Sequence, residues 1–226
     1  RRRAAERMSA RPPGTRASIA AVVTIAMTVL LAVFVALPFV ALLLRVSPAQ
    51  MLARLGEPAV LDALRLSLVT STIATAIVVL LGTPVAWLLA TRDFAGKRVL
   101  EVLLDLPMVL PPTVAGFALL MAFGRMGLLG GTLGALGVTL PFSVAGVIVA
   151  QVFMAVPFYI GPARAGFASL DGKLLDAAAT LRASEAFTFL HVALPLAAPA
   201  LLAGAAMSGA RALGEFGATI TFAGNL

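Results

Sequence analysis

Arg211 and Glu215 have the most chemistry to offer. They stand four residues apart in RALGE, within a run from Leu196 to Phe222 that is otherwise apolar or small. On one helix that spacing puts both side chains on a shared face, where they can pair. An ionisable group at membrane depth is costly unless it is paired or wetted, and such groups face a bundle interior or a water-filled cavity. The chemistry on offer is that of a charged passage: a fixed arginine favours entry of an anion, and a carboxylate beside it keeps binding weak enough for release. The spacing leaves a second reading open, a neutralising pair with no part in passage. Other chemistry is scarce. With no cysteine, thiol catalysis and disulfides are excluded. One histidine, His191, and ten acids do not build a conventional zinc, haem or iron-sulfur site, so no metal or cofactor is expected. Asp171-Gly172-Lys173 lacks both the glycine five positions before Gly172 and the Ser/Thr after the lysine that a phosphate-binding loop needs. The glycine-rich run from Gly124 to Pro141 also fits neither nucleotide motif and reads as tight turns. No catalytic residue is assigned, and the chain is not expected to hydrolyse ATP by itself.

The elements that must position the pair are apolar. The sequence of 226 residues is 61% hydrophobic and 12% charged, with mean hydropathy +1.04, outside the range of soluble domains. The net charge of +7 would suggest nucleic acid in a soluble chain. Here the basic residues lie in the gaps between apolar runs, so they read as topology signals, and lipid is the expected environment. Residues 1–16 form a basic tail with six arginines and one acid. Ala17 to Leu44 holds no charge over 28 positions, more than the roughly 20 residues needed to cross a bilayer; a kink is expected at Pro38. Further spans are expected over 66–90, 99–123, 142–160 and 196–222, with a short capped helix between Ser47-Pro48 and Gly56. Ser67, Thr70, Ser71, Thr72 and Thr75 crowd the second span, where they can bond neighbouring helices or their own backbone, and Trp87 sits near its far end as an interfacial ring. The third is interrupted by Pro107, Pro111, Pro112 and Gly116, which is tolerable only where it faces protein or a wet path. Gln151 is the one strongly polar interior side chain of the fourth. In the fifth, Gly204 with Ser208 and Ala205 with Gly209 let helices approach closely, either within one subunit or across to a partner.

Between the fourth and fifth spans lies the polar segment 171–195, DGKLLDAAATLRASEAFTFLHVALP. Asp171 can cap a helix whose apolar residues Leu174, Ala178 and Leu181 recur at helical spacing, leaving Lys173, Asp176 and Arg182 to solvent. Ser184 can cap a second helix, with Phe187 and Leu190 on one side, running to Leu194-Pro195. Spacing alone leaves open whether this pair protrudes or lies flat on the headgroups.

Asp176-Ala177-Ala178, followed by Val192, Leu194 and Pro195, resembles the EAA signature of the membrane subunits of bacterial ABC importers. The resemblance implies a coupling helix that docks in a cleft of an ATP-binding subunit. Asp176 stands where Glu is usual and Arg182 where Gly is usual. If that position is left-handed, a non-glycine residue there costs about 1 kcal/mol. LPMVLPPTVAG, GRMGLLG and RALGEFGAT are similar to stretches of molybdate and sulfate permeases, molybdate most of all, and the likeness runs from about Leu64 to Leu226. It implies an all-α polytopic bundle of the type I importer kind, with an extracytoplasmic oxyanion-binding protein and a second permease copy as partners. It also implies a sixth span beyond Leu226, and with no methionine at position 1 a natural start other than Arg1 is expected. On this likeness, Asp176, Ala177, Ala178, Arg182, Leu194 and Pro195 are the coupling residues; Arg211, Glu215, Pro111, Pro112 and Thr113 are the candidates for the translocation path.

Charge sets the expected orientation. Alternating the gaps puts Arg1, Arg2, Arg3, Arg7, Arg11, Arg16, Arg92, Lys97, Arg98, Arg164, Lys173 and Arg182 on one side, against Arg45, Arg54, Arg65 and Arg125. Twelve against four places the N-terminus and segment 171–195 in the cytoplasm. The expected function is ATP-driven import of an oxyanion, most simply molybdate, with sulfate or tungstate as alternatives. The rivals from other classes are an ion-coupled secondary transporter, which also uses broken helices and buried ion pairs, and a membrane scaffold.

Overall fold

The computed structural model describes residues 15–45 and 47–224, and every regular element among them is helical. The basic tail lies outside the described residues except for Thr15 and Arg16, which open the first helix. The chain divides into two compact units, residues 1–62 and 63–226.

In the first unit, α1 (Thr15–Arg45) realises the long uncharged run, and Pro38 lies inside it without ending it. The hydroxyls of Thr24 and Thr28 donate to carbonyls one turn back, 2.8 Å in both cases, so an apolar helix carries them without an unpaired polar group. Helix α2 (Pro48–Leu55) follows extended Ser47, with proline in the first turn where no N–H is missed.

Helix α3 (Pro58–Thr91) begins eight residues before the expected Leu66, since nothing after Pro58 breaks it. Within the second unit its buried stripe includes Ala74, Val78, Gly82, Ala86 and Leu89. Its hydroxyls bond their own backbone: Thr70 to Leu66 O at 2.9 Å, Thr75 to Ser71 O at 2.7 Å. The third span is two helices, α4 (Lys97–Val109) and α5 (Pro112–Phe123). Pro111 and Pro112 cause the break, because neither has an N–H to continue the ladder and each crowds the carbonyl four residues back. The connector holds α6 (Gly130–Ala135) and folds back on α5, with the N–H groups of Leu128 and Leu129 bonded to Met121 and Ala122 carbonyls. Helix α7 (Val144–Ala168), capped by Ser143, runs beyond the expected end at Ile160. Gly161 and Pro162 do not stop it, because packing against the next long helix outweighs their poor propensity.

Segment 171–195 folds into α8 (Gly172–Thr180), a turn, α9 (Glu185–Thr188) and a π-turn (Phe189–Ala193) that leads directly into α10 (Leu194–Leu213). The expected boundary at Pro195 is therefore absent: Glu185–Leu213 is one helical rod of 29 residues. After a break at Gly214–Phe216 comes α11 (Gly217–Ala223). Among the described residues four helices are long and apolar enough to cross a membrane, those within Ile19–Arg45, Pro58–Thr91, Val144–Ala168 and Glu185–Leu213; α5 is a shorter apolar helix.

Two contacts fix the core. Helices α7 and α10 pack antiparallel: Ser208 Oγ donates to Ala155 O at 3.2 Å, and Gly204 lies so close that a Cβ there would stand 3.2 Å from Tyr159 O. Helix α11 packs on α5, where a Cβ at Gly116 would meet Thr221 Cβ at 2.6 Å and one at Gly217 would meet Pro112 Cβ at 2.6 Å. Only glycine permits that approach. Both small-residue pairs are used inside the chain, Gly204 and Ser208 against α7, Gly209 against Thr75 of α3 and Ala205 against the core.

Candidate translocation and coupling sites

The expected pair exists, but not on one helix. Arg211 lies in the last turn of α10, whereas Glu215 lies beyond its end, in the break before α11. Gly214 ends α10, so the i,i+4 relation survives through a turn. Glu215 is fixed twice. One carboxylate oxygen pairs with Arg211 Nη2, and the other accepts the Ala218 N–H at 2.7 Å, which satisfies a free donor at the start of α11. Its side chain is 1% exposed, that of Arg211 22%. The arginine also lies over Phe158, Cζ 5.9 Å from the ring centroid, near the middle of α7. An ion pair so buried stabilises little in net terms, but removing one partner costs about 3–5 kcal/mol because the other charge is left uncompensated.

Of the residues at the α4–α5 break, Pro112 packs on Gly217, two positions from Glu215. Pro111, Pro112 and Thr113 are all exposed. Prolines 107, 111 and 112 withdraw the donors that the carbonyls of Leu103, Pro107 and Met108 would take. In a bilayer those carbonyls require protein or water beside them. Gln151 is buried, and its Oε1 has no hydrogen-bond partner; the same holds for Thr219 Oγ1. The α7–α10 register sets Gln151 level with Ala212. Sequence reasoning singled out Gln151 and missed Thr219.

The caps expected in the polar segment are present. Asp171 Oδ1 accepts the Lys173 N–H at 3.0 Å, and Ser184 Oγ accepts the Phe187 N–H at 3.2 Å. Arg182 adopts φ +57°, the left-handed region, and the next N–H, of Ala183, returns to Ala178 O at 3.0 Å. The helix thus ends as a glycine-terminated helix does, with an arginine in the strained position. Two residues differ from expectation: Leu181 is not on the inner face, since it falls in the turn after α8 and is 83% exposed, and Leu174 is exposed as well. Ala178 is buried inside the pair and Asp176 is exposed, as the spacing implies, and Ala177 is exposed too. Leu174, Ala177, Ala178, Leu181, Phe187 and Val192 line a groove of about 790 Å³. Leu194 is half-buried against the core and Pro195 is exposed. His191 stacks on Phe187, ring centroids 4.3 Å apart, and no metal-binding group occurs among the described residues.

Proline explains the π-turn. Without an N–H at Pro195, the carbonyl of His191 has no donor, and its α-helical position would meet the proline ring. Widening the turn removes the clash, and the Leu194 N–H bonds to Phe189 O instead. Around this turn the foot is held by contacts the sequence did not announce. Trp87 of α3, Phe167 of α7 and Phe189 form a triangle with centroids 5.3, 5.7 and 6.2 Å apart. Trp87, half-buried one turn before the end of α3, packs on both other rings. Arg92, just beyond α3, pairs with Glu185, and Arg164 of α7 pairs with Glu101 of α4 at 2.6 Å. Exposed ion pairs contribute about 0–1 kcal/mol, whereas each aromatic pair contributes about 0.5–1.5 kcal/mol beyond its buried area. The rings therefore hold the foot more firmly than the Arg92–Glu185 pair. Positions 87, 167 and 189 carry no joint spacing signal; the proline four residues after His191 was the one legible sign of a widened turn.

Long apolar helices, one broken by prolines, a buried ion pair beside a second break, and a polar foot at one end define a membrane permease. Residues 82–226 match the family model described as "Binding-protein-dependent transport system inner membrane component", and the chain belongs to that family. It is 44% identical over 197 residues to the molybdenum transport system permease protein of Mycobacterium tuberculosis, covering 85% of this chain and 73% of that protein. Against the molybdenum transport system permease protein of Escherichia coli K12 the identity is 41% over 166 residues, covering 73% and 72%. The molybdate/tungstate transport system permease protein of Thermococcus kodakarensis is 36% identical over 192 residues, covering 84% and 72%. The chain is a multi-pass inner-membrane component of a transport system.

Proposed function

We propose that this chain is the permease of an ATP-driven importer for molybdate or tungstate, and that segment 171–195 receives the stroke of an ATP-binding subunit. What supports the anion is the similarity to the molybdenum and molybdate/tungstate permeases just described. The observation that carries the mechanism is the single rod Glu185–Leu213: its foot belongs to the polar helical pair, and its far end holds Arg211 against Glu215. A tilt of the foot reaches the ion pair without crossing a loop. Leu181 and Phe187, exposed beside the groove at the foot, are the apolar contacts offered to the partner's cleft.

An extracytoplasmic binding protein delivers the oxyanion at the opposite end, and the N-terminus and the foot face the cytoplasm, a reading supported by the twelve-to-four charge count. Arg211 attracts the anion and Glu215 limits how tightly it is held. Two copies work together, because one copy leaves Pro111, Pro112 and Thr113 uncovered, and a passage for a divalent anion must be enclosed by protein and water. The test is uptake of labelled molybdate into proteoliposomes that hold the permease and its ATP-binding subunit, with binding protein outside. Competition by tungstate and not by sulfate is expected; equal competition by sulfate would reassign the anion.

A further inference from the structure

We propose that Trp87, Phe167 and Phe189 form the joint that passes movement of the foot sideways into α3 and α7; the inference rests on the coupling reading above. Each ring comes from a different element, and all three lie at the same end of the second unit. Trp87 is one turn before the end of α3, Phe167 is the penultimate residue of α7, and Phe189 is the first residue of the π-turn. Phe167 is buried, and Trp87 and Phe189 are half-buried around it. The rod is softest at this level. The π-turn and the missing N–H groups of Pro195 and Pro199 leave the carbonyls of His191 and Pro195 without α-helical partners, so this stretch bends most readily under load. A soft stretch that is free to bend would absorb a push on the foot. Held by two rings, it drags the ends of α3 and α7 along instead. The Arg92–Glu185 pair bridges the same gap further out, but its side chains are 57% and 86% exposed, so salt screens it and the rings must carry the motion. Trp87, Phe167 and Phe189 are in this sense positioning residues: they touch neither the anion nor the docking groove.

The experiment measures molybdate uptake and ATP hydrolysis together, in proteoliposomes holding the permease with its ATP-binding subunit. Phe189→Leu keeps apolar volume and removes the ring. The variant is expected to insert, bind the ATP-binding subunit and hydrolyse ATP as before, while uptake per ATP falls roughly tenfold, the usual scale of a coupling effect. Trp87→Ala is expected to behave likewise, and Trp87→Phe, which restores a ring, to recover most of the ratio. Glu185→Gln should leave the ratio near normal. An unchanged uptake-to-ATP ratio in Phe189→Leu, with the ATP-binding subunit bound, would overturn the joint and leave the coupling reading intact. Failure of the unmodified chain to bind an ATP-binding subunit would defeat that reading, and the joint with it.

Discussion

Glu215 serves two partners at once, and the two roles separate under mutation. Glu215→Ala strips Arg211 of its counter-charge and the Ala218 N–H of its acceptor, so a loss of about 3–5 kcal/mol and a reduced membrane level are expected. Glu215→Gln keeps an acceptor for the N–H and removes only the charge, and is expected to insert better than the alanine variant. Removing both charges with Arg211→Ala and Glu215→Ala should restore insertion but not uptake; normal uptake by that double variant would make the pair purely structural. Arg182 behaves differently. Its φ of +57° is a strain that glycine does not feel, so Arg182→Gly is expected to stabilise the foot by up to about 1 kcal/mol. The readout is thermal unfolding of the purified permease, and a lowered midpoint would contradict it. At this scale much was legible. Spacing announced the ion pair, and the motif position announced the left-handed turn. The shared helix face was not, because Gly214 ends α10 and Glu215 pairs through a turn.

At the scale of elements, hydropathy and proline located the apolar runs and the break between α4 and α5, and Asp171 and Ser184 marked the caps. What stayed hidden were the continuations. The expected end of the fourth span is Ile160 and that of the second helix of the polar segment Leu194-Pro195, yet α7 and the rod run through both, since packing of α7 against α10 outweighs local propensity and a π-turn accommodates Pro195. The aromatic triangle stayed hidden for a related reason: its members are distant in sequence and meet only once three helices are placed. Leu181→Asp is expected to abolish association with the ATP-binding subunit without changing membrane level, as read by co-purification, because Leu181 is 83% exposed and supports no core contact. Gly116→Leu is expected to lower thermal stability by about 1–3 kcal/mol, since the added atoms meet Thr221 and the Ala218 carbonyl; an unchanged midpoint would contradict the close packing of α5 on α11.

For the whole molecule, two properties must hold together, sidedness and energy source. Tags within residues 91–98 and 171–185 are expected to report cytoplasm, and one within 127–137 the opposite side; reversal at either of the first two would overturn the charge-based orientation. The account's central claim is that ATP bound at the foot drives anion passage at the far end of the rod. It is tested most directly by molybdate uptake in proteoliposomes with no ion gradient, comparing the unmodified permease with Leu181→Asp. ATP-dependent uptake by the unmodified permease, and none by the variant, is the predicted result. Uptake that needs no ATP-binding subunit and instead follows an imposed ion gradient would contradict the account and identify a secondary transporter.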